Sequence, residues 1–261
     1  MTDTATRATT RAPAARAPAT ARQRARVQVP TLRRERGLLG AGARVLVGMD
    51  EVGRGALAGP VSVGVVAIDA STRTCPRGVA DSKLLSPAAR TALLPALSSW
   101  GRARAVGHAS AGEIDAIGII AALRLAGQRA LAQVVEAIGP VDTVLLDGSH
   151  DWLSRPAQED LWGAGTDAAW PEVTALDPVV HLLVKADRQC ASVAAASVIA
   201  KCERDAIMTE LAPGYAVYGW AENKGYGSPD HLAALRTYGP SALHRRSWRL
   251  PTSELLSSDE L

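Results

Sequence analysis

The chain has 261 residues, of which 47% are hydrophobic, and a formal net charge of +3; this length fits one large domain or two small ones. No apolar run approaches the roughly 20 residues of a membrane-spanning helix and no signal peptide is visible, so we expect a soluble, cytoplasmic protein with no membrane partner. The three cysteines, Cys75, Cys190 and Cys202, lack CxxC or Cys/His spacing, which indicates buried thiols in a reducing compartment.

The positive charge lies mainly in the N-terminal segment. Nine arginines and only two carboxylates occur in residues 1–36, and the segment lacks apolar periodicity. We therefore predict a disordered Arg-rich extension over 1–40, a folded domain over 41–250 and an acidic tail over 251–261. The extension either adds salt-sensitive affinity for nucleic acid or solvates the protein without a partner. Its composition also resembles a transit peptide, although no amphipathic helix supports that interpretation.

Two predicted strands, 44–49 and 61–68, flank a glycine-rich turn and predict a hairpin. The first strand ends in two adjacent carboxylates, Asp50 and Glu51. Carboxylates are costly to bury unless a cation neutralises them, so this pair indicates a metal or substrate site. The alternative is a solvated strand end followed by an ordinary turn. The glycine spacing does not fit a dinucleotide fingerprint, because a strand follows where that motif needs a helix.

The rest of the chain alternates helical and strand patterns. Ser86 and Pro87 start a helix, and Ser110 with Glu113 forms a capping box that opens a longer helix with a break near Gly118. The small residues of a later helix let it lie close to the sheet. The predicted strands are 103–109, 141–146, 173–175 and 179–184, and the predicted helices cover 86–97, 110–138, 189–211 and a short stretch from 229.

Four acids follow strand-like runs or precede a helix: Asp50, Glu51, Asp147 and Asp187. If they meet at one sheet edge they cannot all ionise without cations, because like charges raise each other's pKa. Oxygen ligands favour Mg²⁺ or Mn²⁺, and paired ions serve displacement at a phosphodiester. Asp205 is excluded because it lies about 27 Å farther along a helix, and we interpret it as an exposed acid.

The adjacency of Asp50 and Glu51 raises a geometric difficulty. Successive strand side chains point to opposite faces, so the two cannot both face one site from a regular strand. We expect either a bend in the backbone or a carboxylate that approaches the site from the side.

Seven stretches now identify a family. The chain resembles bacterial ribonuclease HII, a type 2 ribonuclease H, across almost all of 44–249. The chain departs from the family pattern at Ala186, where glycine is common, and after Asp147. The matching stretches are GMDEVGRGALAGPV at 48–61, DSKLLS at 81–86, LLDG at 145–148, VKAD at 184–187, SVAAASVIAKCERD at 192–205, NKGYGSPDH at 223–231 and HRRSW at 244–248.

The resemblance implies an α/β ribonuclease H-like fold, with a mixed five-stranded sheet flanked by helices and a helical C-terminal part. It implies an endonuclease that cuts the RNA strand of RNA/DNA hybrids and nicks duplex DNA 5′ of single ribonucleotides, leaving 3′-hydroxyl and 5′-phosphate ends during ribonucleotide removal. Asp50, Glu51, Asp147 and Asp187 match the catalytic acids that hold two Mg²⁺ or Mn²⁺ ions. We expect a monomer.

The resemblance also implies substrate contacts. Gly53, Arg54 and Gly55 match a loop whose backbone reads the ribose 2′-hydroxyl, and Tyr226 matches a tyrosine that packs on the next deoxyribose. The positions near the substrate backbone are Lys83, Ser197 and Lys201, although Lys201 is equally well explained as a surface lysine, and His231 and His244 are given structural roles. Two alternatives remain: a ribonuclease H-like nuclease with a different substrate, and a catalytically silent nucleic-acid-binding module.

Overall fold

A computed structural model describes residues 29–154 and 178–252. In this part of the chain, five strands form one mixed sheet in the order β3-β2-β1-β4-β5. The β1–β2 and β2–β3 pairs are antiparallel, whereas β1–β4 and β4–β5 are parallel. The predicted α/β class, hairpin and five-stranded mixed sheet are therefore confirmed. The strands are β1 Leu46–Val52, β2 Val61–Ile68, β3 Ala103–Ala109, β4 Thr143–Asp147 and β5 Val179–Leu183.

Helices cover both faces of the sheet. On one face, Val47 and Met49 of β1 share a buried core with Leu123 of α3 (Ala111–Ile138). On the other face, Leu46 shares a core with Val193 of α4 (Ala191–Leu211). The alternation along β1 thus sends successive side chains to opposite layers. The remaining helices are α1 Arg33–Gly40, α2 Pro87–Ser98, α5 Trp220–Asn223 and α6 Pro229–Tyr238.

The small residues of α4 allow unusually close contact with the sheet, as the sequence predicts. A Cβ on Gly48 of β1 would lie 2.4 Å from the carbonyl carbon of Ser192, and one on Gly64 of β2 would lie 2.4 Å from the Ala196 oxygen. No side chain fits between these elements. The backbone of α4 is therefore held directly against β1, the strand that carries Asp50.

The predicted helix starts are confirmed by their caps. The Ser86 hydroxyl accepts a hydrogen bond from the Ala89 amide at the start of α2. Ser110 and Glu113 form the reciprocal capping box of α3, and the chain breaks helical geometry at Gly118 with φ of +77°. These local interactions satisfy amides that have no partner inside the helix.

The prediction of a disordered extension through residue 40 is wrong for 29–40. Arg33–Gly40 forms α1, and the Thr31 amide donates to the Gln189 oxygen at 3.0 Å. Glu35 is fully buried, and one of its oxygens accepts hydrogen bonds from the amide and hydroxyl of Ser192, each at 3.0 Å. A carboxylate at the N-terminal turn of α4 is favourable, because free amides and the helix dipole meet it there.

Some predictions fall on other parts of the chain. Residues 1–28, 155–177 and 253–261 lie outside the described residues, and with them most of the basic extension, the strand predicted at 173–175 and most of the acidic tail. Among the helices that are described, none has the length and apolar character needed to cross a membrane.

The helical C-terminal part packs against the glycine turn between β1 and β2. The Leu57 amide donates to the Gly225 oxygen at 2.8 Å, and the Gly59 amide donates to the Leu243 oxygen at 2.8 Å. The amide of Arg245 returns a hydrogen bond to the Leu57 oxygen at 2.9 Å. Two distant segments of sequence are therefore fastened to the loop that follows the carboxylate pair.

Candidate active site

Three of the four predicted acids meet at one end of the sheet. The parallel register pairs Met49 with Leu146, so Asp50 and Asp147 are the next residues on neighbouring strands. Asp187 lies in a 3-10 helix, Ala186–Arg188, between β5 and α4. An Asp147 oxygen accepts a hydrogen bond from the Ala186 amide at 2.6 Å. This bond ties the end of β4 to the segment that carries Asp187.

The buried acids raise one another's pKa. Burial raises the pKa of Asp50 well above its ordinary value, the charges of Glu51, Asp147 and Asp187 raise it further, and a hydrogen bond with Ser197 opposes the shift. Burial and then the charge of Asp147 raise the pKa of Asp187 to about 6. Because only 5% of Asp50 and 3% of Asp187 is exposed, water compensates these charges poorly.

Glu51 lies on the opposite face of β1 from Asp50, because the strand stays regular at this point. The β1–β2 ladder runs unbroken through Val52, pairing Asp50 with Gly64 and Glu51 with Val63. The backbone bend, one of the two expected alternatives, is therefore absent. Burial raises the pKa of Glu51 and so does Asp147, whereas Arg54 lowers it, with its Nη1 3.7 Å from the Glu51 Oε1.

The chemistry of these donors fits a hard divalent cation. The four ligand candidates are all carboxylates, and their mutual electrostatic cost is of the kind that a divalent cation removes. Their side chains do not converge into a finished metal site, since no group of three or more His, Cys, Asp or Glu side chains within 29–154 and 178–252 is arranged to hold an ion.

Lys83 and Ser197, which the family resemblance assigns to the substrate backbone, lie beside the acids in the structure. Partial burial lowers the pKa of Lys83, but Asp50 and Asp187 head a set of carboxylates that raise it overall. The Ser197 hydroxyl of α4 lies 2.8 Å from the Ser82 hydroxyl. These contacts bring the 81–86 segment, one of the seven motif stretches, up to the acid cluster.

Asp81 is a site residue that sequence reasoning missed. It is 1% exposed, it caps the turn that carries Lys83 by accepting from the Lys83 amide at 2.9 Å, and it pairs with Arg188 Nε at 3.1 Å. The residue therefore joins the lysine turn to the Asp187 segment. Its position before Ser82 and Lys83 in a family motif was the available signal.

The glycine loop and Tyr226 are held together by a hydrogen bond. The Gly53 amide donates to the Tyr226 hydroxyl at 3.2 Å. Gly53 has φ of +83°, and a Cβ there would lie 2.0 Å from Arg204 Nε, so only glycine fits. Gly55 has no atom within 4 Å of an added Cβ; the loop is therefore open at this residue.

The Lys201 ammonium lies over the ring of Tyr226. Its Nζ is 5.6 Å from the ring centroid of Tyr226 and forms an ion pair with Asp205 at 2.6 Å. Asp205 also lies 3.5 Å from Arg90 Nη2, and its side chain is only 17% exposed. The interpretation of Asp205 as an exposed acid is therefore wrong, because α2 packs Arg90 against it.

Two buried arginines hold the loop, and sequence reasoning gave neither a role. Arg245 is fully buried and donates to the backbone oxygens of Gly53 at 2.6 Å, Arg54 at 2.8 Å and Gly59 at 3.3 Å. Burial lowers the pKa of Arg245 to about 9. Its guanidinium therefore replaces lost hydration with carbonyl oxygens, which fixes the path of the loop.

Arg204 holds the end of the same loop, next to β2, in a similar way. Also fully buried, it donates to the backbone oxygens of Pro60 at 2.8 Å, Ala58 at 3.2 Å and Lys224 at 3.0 Å. Its guanidinium carbon lies 5.2 Å from the ring centroid of Tyr226. Both arginines occur within the motifs at 192–205 and 244–248, which was the only signal for them.

Comparison with known proteins settles the family. The model of the family described as Ribonuclease HII matches residues 47–250. The chain belongs to the ribonuclease HII family. Ribonuclease HII of Streptomyces avermitilis is 47% identical over 209 residues, covering 79% of this chain and 78% of that one. Ribonuclease HII of Roseiflexus castenholzii is 40% identical over 223 residues, covering 84% and 88%. The chain is therefore a ribonuclease of the H class.

Solved structures agree with the fold. Ribonuclease H2 from Pyrococcus horikoshii OT3 superposes with a TM-score of 0.53 at 24% identity, covering 79% of this chain and 95% of that one. Bst-RNase HIII in complex with Mn²⁺ superposes with a TM-score of 0.55 at 21% identity, covering 84% and 71%. The predicted ribonuclease H-like fold is thus confirmed, and the family match over 47–250 confirms the ribonuclease HII resemblance.

Proposed function

We propose that this ribonuclease HII family member hydrolyses the RNA strand of RNA/DNA hybrids and nicks duplex DNA 5′ of single embedded ribonucleotides. The observation that carries the proposal is that the glycine loop directly follows the carboxylate pair of β1 and is hydrogen-bonded to Tyr226. Glu51 and Gly53 are two residues apart, and the Gly53 amide bonds the Tyr226 hydroxyl. A ribose bound at the loop would therefore lie next to the carboxylates.

The four carboxylates Asp50, Glu51, Asp147 and Asp187 would hold two Mg²⁺ or Mn²⁺ ions. Carboxylate-only donors and the presence of Mn²⁺ in the Bst-RNase HIII complex support this. When held by these carboxylates, the ions would supply a nucleophilic water and stabilise charge on the leaving 3′ oxygen, chemistry that gives 3′-hydroxyl and 5′-phosphate ends. The Asp147–Ala186 hydrogen bond holds two of the carboxylate-bearing segments in register for this task.

The open backbone of the loop supports a role in reading the RNA-to-DNA junction. Gly55 is open, so the backbone there can approach a ribose 2′-hydroxyl that a side chain would block. The Tyr226 hydroxyl is held by the Gly53 amide, and its partly exposed ring would pack on the next deoxyribose. Lys83 and Lys201 supply positive charge for the flanking phosphates. All these residues come from one chain, so we propose that a monomer is competent.

The experiment uses an end-labelled DNA duplex carrying one ribonucleotide, with an all-DNA duplex and an RNA/DNA hybrid in parallel. We expect a nick immediately 5′ of the ribonucleotide with Mg²⁺ or Mn²⁺, no product with EDTA and no cut in all-DNA. Such a nick is the opening step of ribonucleotide removal. Cleavage of the hybrid without the nick would refute junction reading but keep the nuclease, and no cleavage of either would favour a silent binding module.

A further inference from the structure

Two buried histidines in the C-terminal part lie outside the acid cluster and the open side of the loop. His231 of α6 and His244 are 0% and 1% exposed, and their Nε2 atoms are 3.0 Å apart. They pack against the rings of Tyr218 and Trp220. Nothing in the reaction described above uses either residue.

The hydrogen bonds around the pair fix where each proton lies. The Ser241 amide, which can only donate, meets His244 Nδ1 at 3.0 Å, so that nitrogen is an acceptor. In a neutral His244 ring the proton is then on Nε2 and is donated to His231 Nε2. Trp220 Nε1 also donates to that atom, at 3.3 Å. The proton of His231 is therefore on Nδ1, which donates to the Tyr226 backbone oxygen at 2.9 Å.

The surroundings favour neutral rings. Burial lowers the pKa of both histidines, that of His244 to about 4, with His231 and Arg246 contributing to the shift in His244. The titratable group packed on the rings is the Tyr218 phenol, whose hydroxyl donates to the Gly239 oxygen. Among the described contacts of the two rings there is no carboxylate. The chain of donors from Ser241 to Tyr226 therefore has one direction.

This series of hydrogen bonds joins Tyr226 to the Gly53–Gly55 loop, the two parts proposed to read the RNA-to-DNA junction. We call these two parts together the junction reader. At one end the series holds the main chain of Tyr226, whose hydroxyl accepts from the Gly53 amide. At the other end, His244 pairs with Ala58, and the next residue, Arg245, donates to the Gly53 oxygen. Tyr226 and the loop are thus fastened to each other directly and again through the histidines.

We propose that His231 and His244 are positioning residues that set the main chain of Tyr226 against the Gly53–Gly55 loop, and so set the preference for a single ribonucleotide over a continuous hybrid. The inference rests on the proposed function. The inference separates junction reading from hydrolysis. The histidines contact the segments that hold Tyr226, and they make none of the described contacts of the four acids. Losing the hydrogen bonds of the two histidines should therefore affect junction nicking more than hybrid cleavage.

The test compares His231→Leu with the matched variant His231→Asn, whose amide nitrogen can replace Nδ1 as donor to the Tyr226 oxygen. The measured quantity is the ratio of kcat/KM for the single-ribonucleotide duplex to that for an RNA/DNA hybrid. In His231→Leu the Tyr226 oxygen keeps its hydrogen bond from the Ser228 amide at 2.8 Å but loses the imidazole donor, and we expect the ratio to fall about tenfold or more. The ratio in His231→Asn should stay within about threefold of wild type, even where thermal unfolding shows that both variants are destabilised.

A second measurement needs no substitution and covers the case in which His231→Leu does not fold. Long-range ¹H–¹⁵N NMR of the wild-type protein at pH 7 should show His244 protonated on Nε2 and His231 on Nδ1. The reverse tautomers, a charged ring, or an unchanged ratio in a folded His231→Leu would overturn the inference. If the wild-type protein cuts the hybrid but not the single-ribonucleotide duplex, the proposed function fails and the inference falls with it. If the wild-type protein nicks normally, an unchanged ratio in His231→Leu or the reverse tautomers would refute the positioning role alone.

Discussion

Replacing Gly53 by alanine tests the account of the loop, and Gly55→Ala is its matched control. A Cβ at Gly53 would lie 2.0 Å from Arg204 Nε, and the residue has φ of +83°. The left-handed backbone costs an alanine about 1–2 kcal/mol. Arg204 cannot move freely, because its Nε donates to the Pro60 oxygen at 2.8 Å. Losing that charge-assisted bond adds about 1.5–3 kcal/mol, for a total of about 2.5–5 kcal/mol.

This total is a large part of the free energy of unfolding of an ordinary domain, about 5–15 kcal/mol. Urea denaturation followed by circular dichroism should show the loss in Gly53→Ala. The control should stay within about 0.5 kcal/mol of wild type, because an added Cβ at Gly55 meets no atom within 4 Å and its φ is not positive. Equal stability of the two variants, or a larger loss in Gly55→Ala, would refute the reasoning.

Three further outcomes follow from buried contacts. Glu35→Ala should lower the free energy of unfolding by about 1–2 kcal/mol in urea denaturation, because the Ser192 amide and hydroxyl lose their acceptor; Glu35→Gln keeps an acceptor oxygen and should lose less, and equal stability of Glu35→Ala and wild type would contradict the cap. The pKa of His244 is lowered from 6.5 to about 4, so the unfolded chain binds more protons between these values and stability should fall by about 3 kcal/mol as pH falls through that window. Denaturation at pH 7, 5.5 and 4 measures this, and His244→Gln should show a smaller fall; identical pH profiles would exclude His244 as the source. Arg245→Met should abolish junction nicking at 25 °C, since the Gly53 and Arg54 oxygens lose their donor; normal nicking would show that the loop holds its path without this side chain.

Much of the fold could be predicted because local signals agreed with the packing. Ser86 and Ser110 mark helix starts by capping, and Gly118 marks the break in α3 by its positive φ. These features depend on a few neighbouring residues. The acids were found because each follows an apolar run, so that three of them meet once the parallel strands align. The small residues of α4 likewise predicted its close approach to the sheet.

The errors come from contacts between residues distant in sequence. Arg33–Gly40 was predicted to be disordered from its composition, but Glu35 is buried against the start of α4, 157 residues away. Asp205 was interpreted as exposed because nothing in its own helix indicates Arg90 of α2. Arg204 and Arg245 were passed over because arginine is usually exposed; the loop that turns its carbonyl oxygens toward them is visible only in the fold.

The most direct test of the central claim, that the four acids carry out metal-dependent hydrolysis beside the junction reader, is cleavage by Asp147→Asn with duplex binding measured in parallel. Asparagine keeps an oxygen to accept the Ala186 amide, so the fold and the loop should persist while one carboxylate charge is lost. The account predicts unchanged binding of the single-ribonucleotide duplex and a loss of nicking of at least about 10³-fold, or about 4 kcal/mol of transition-state stabilisation. Nicking within tenfold of wild type by the folded variant would contradict it.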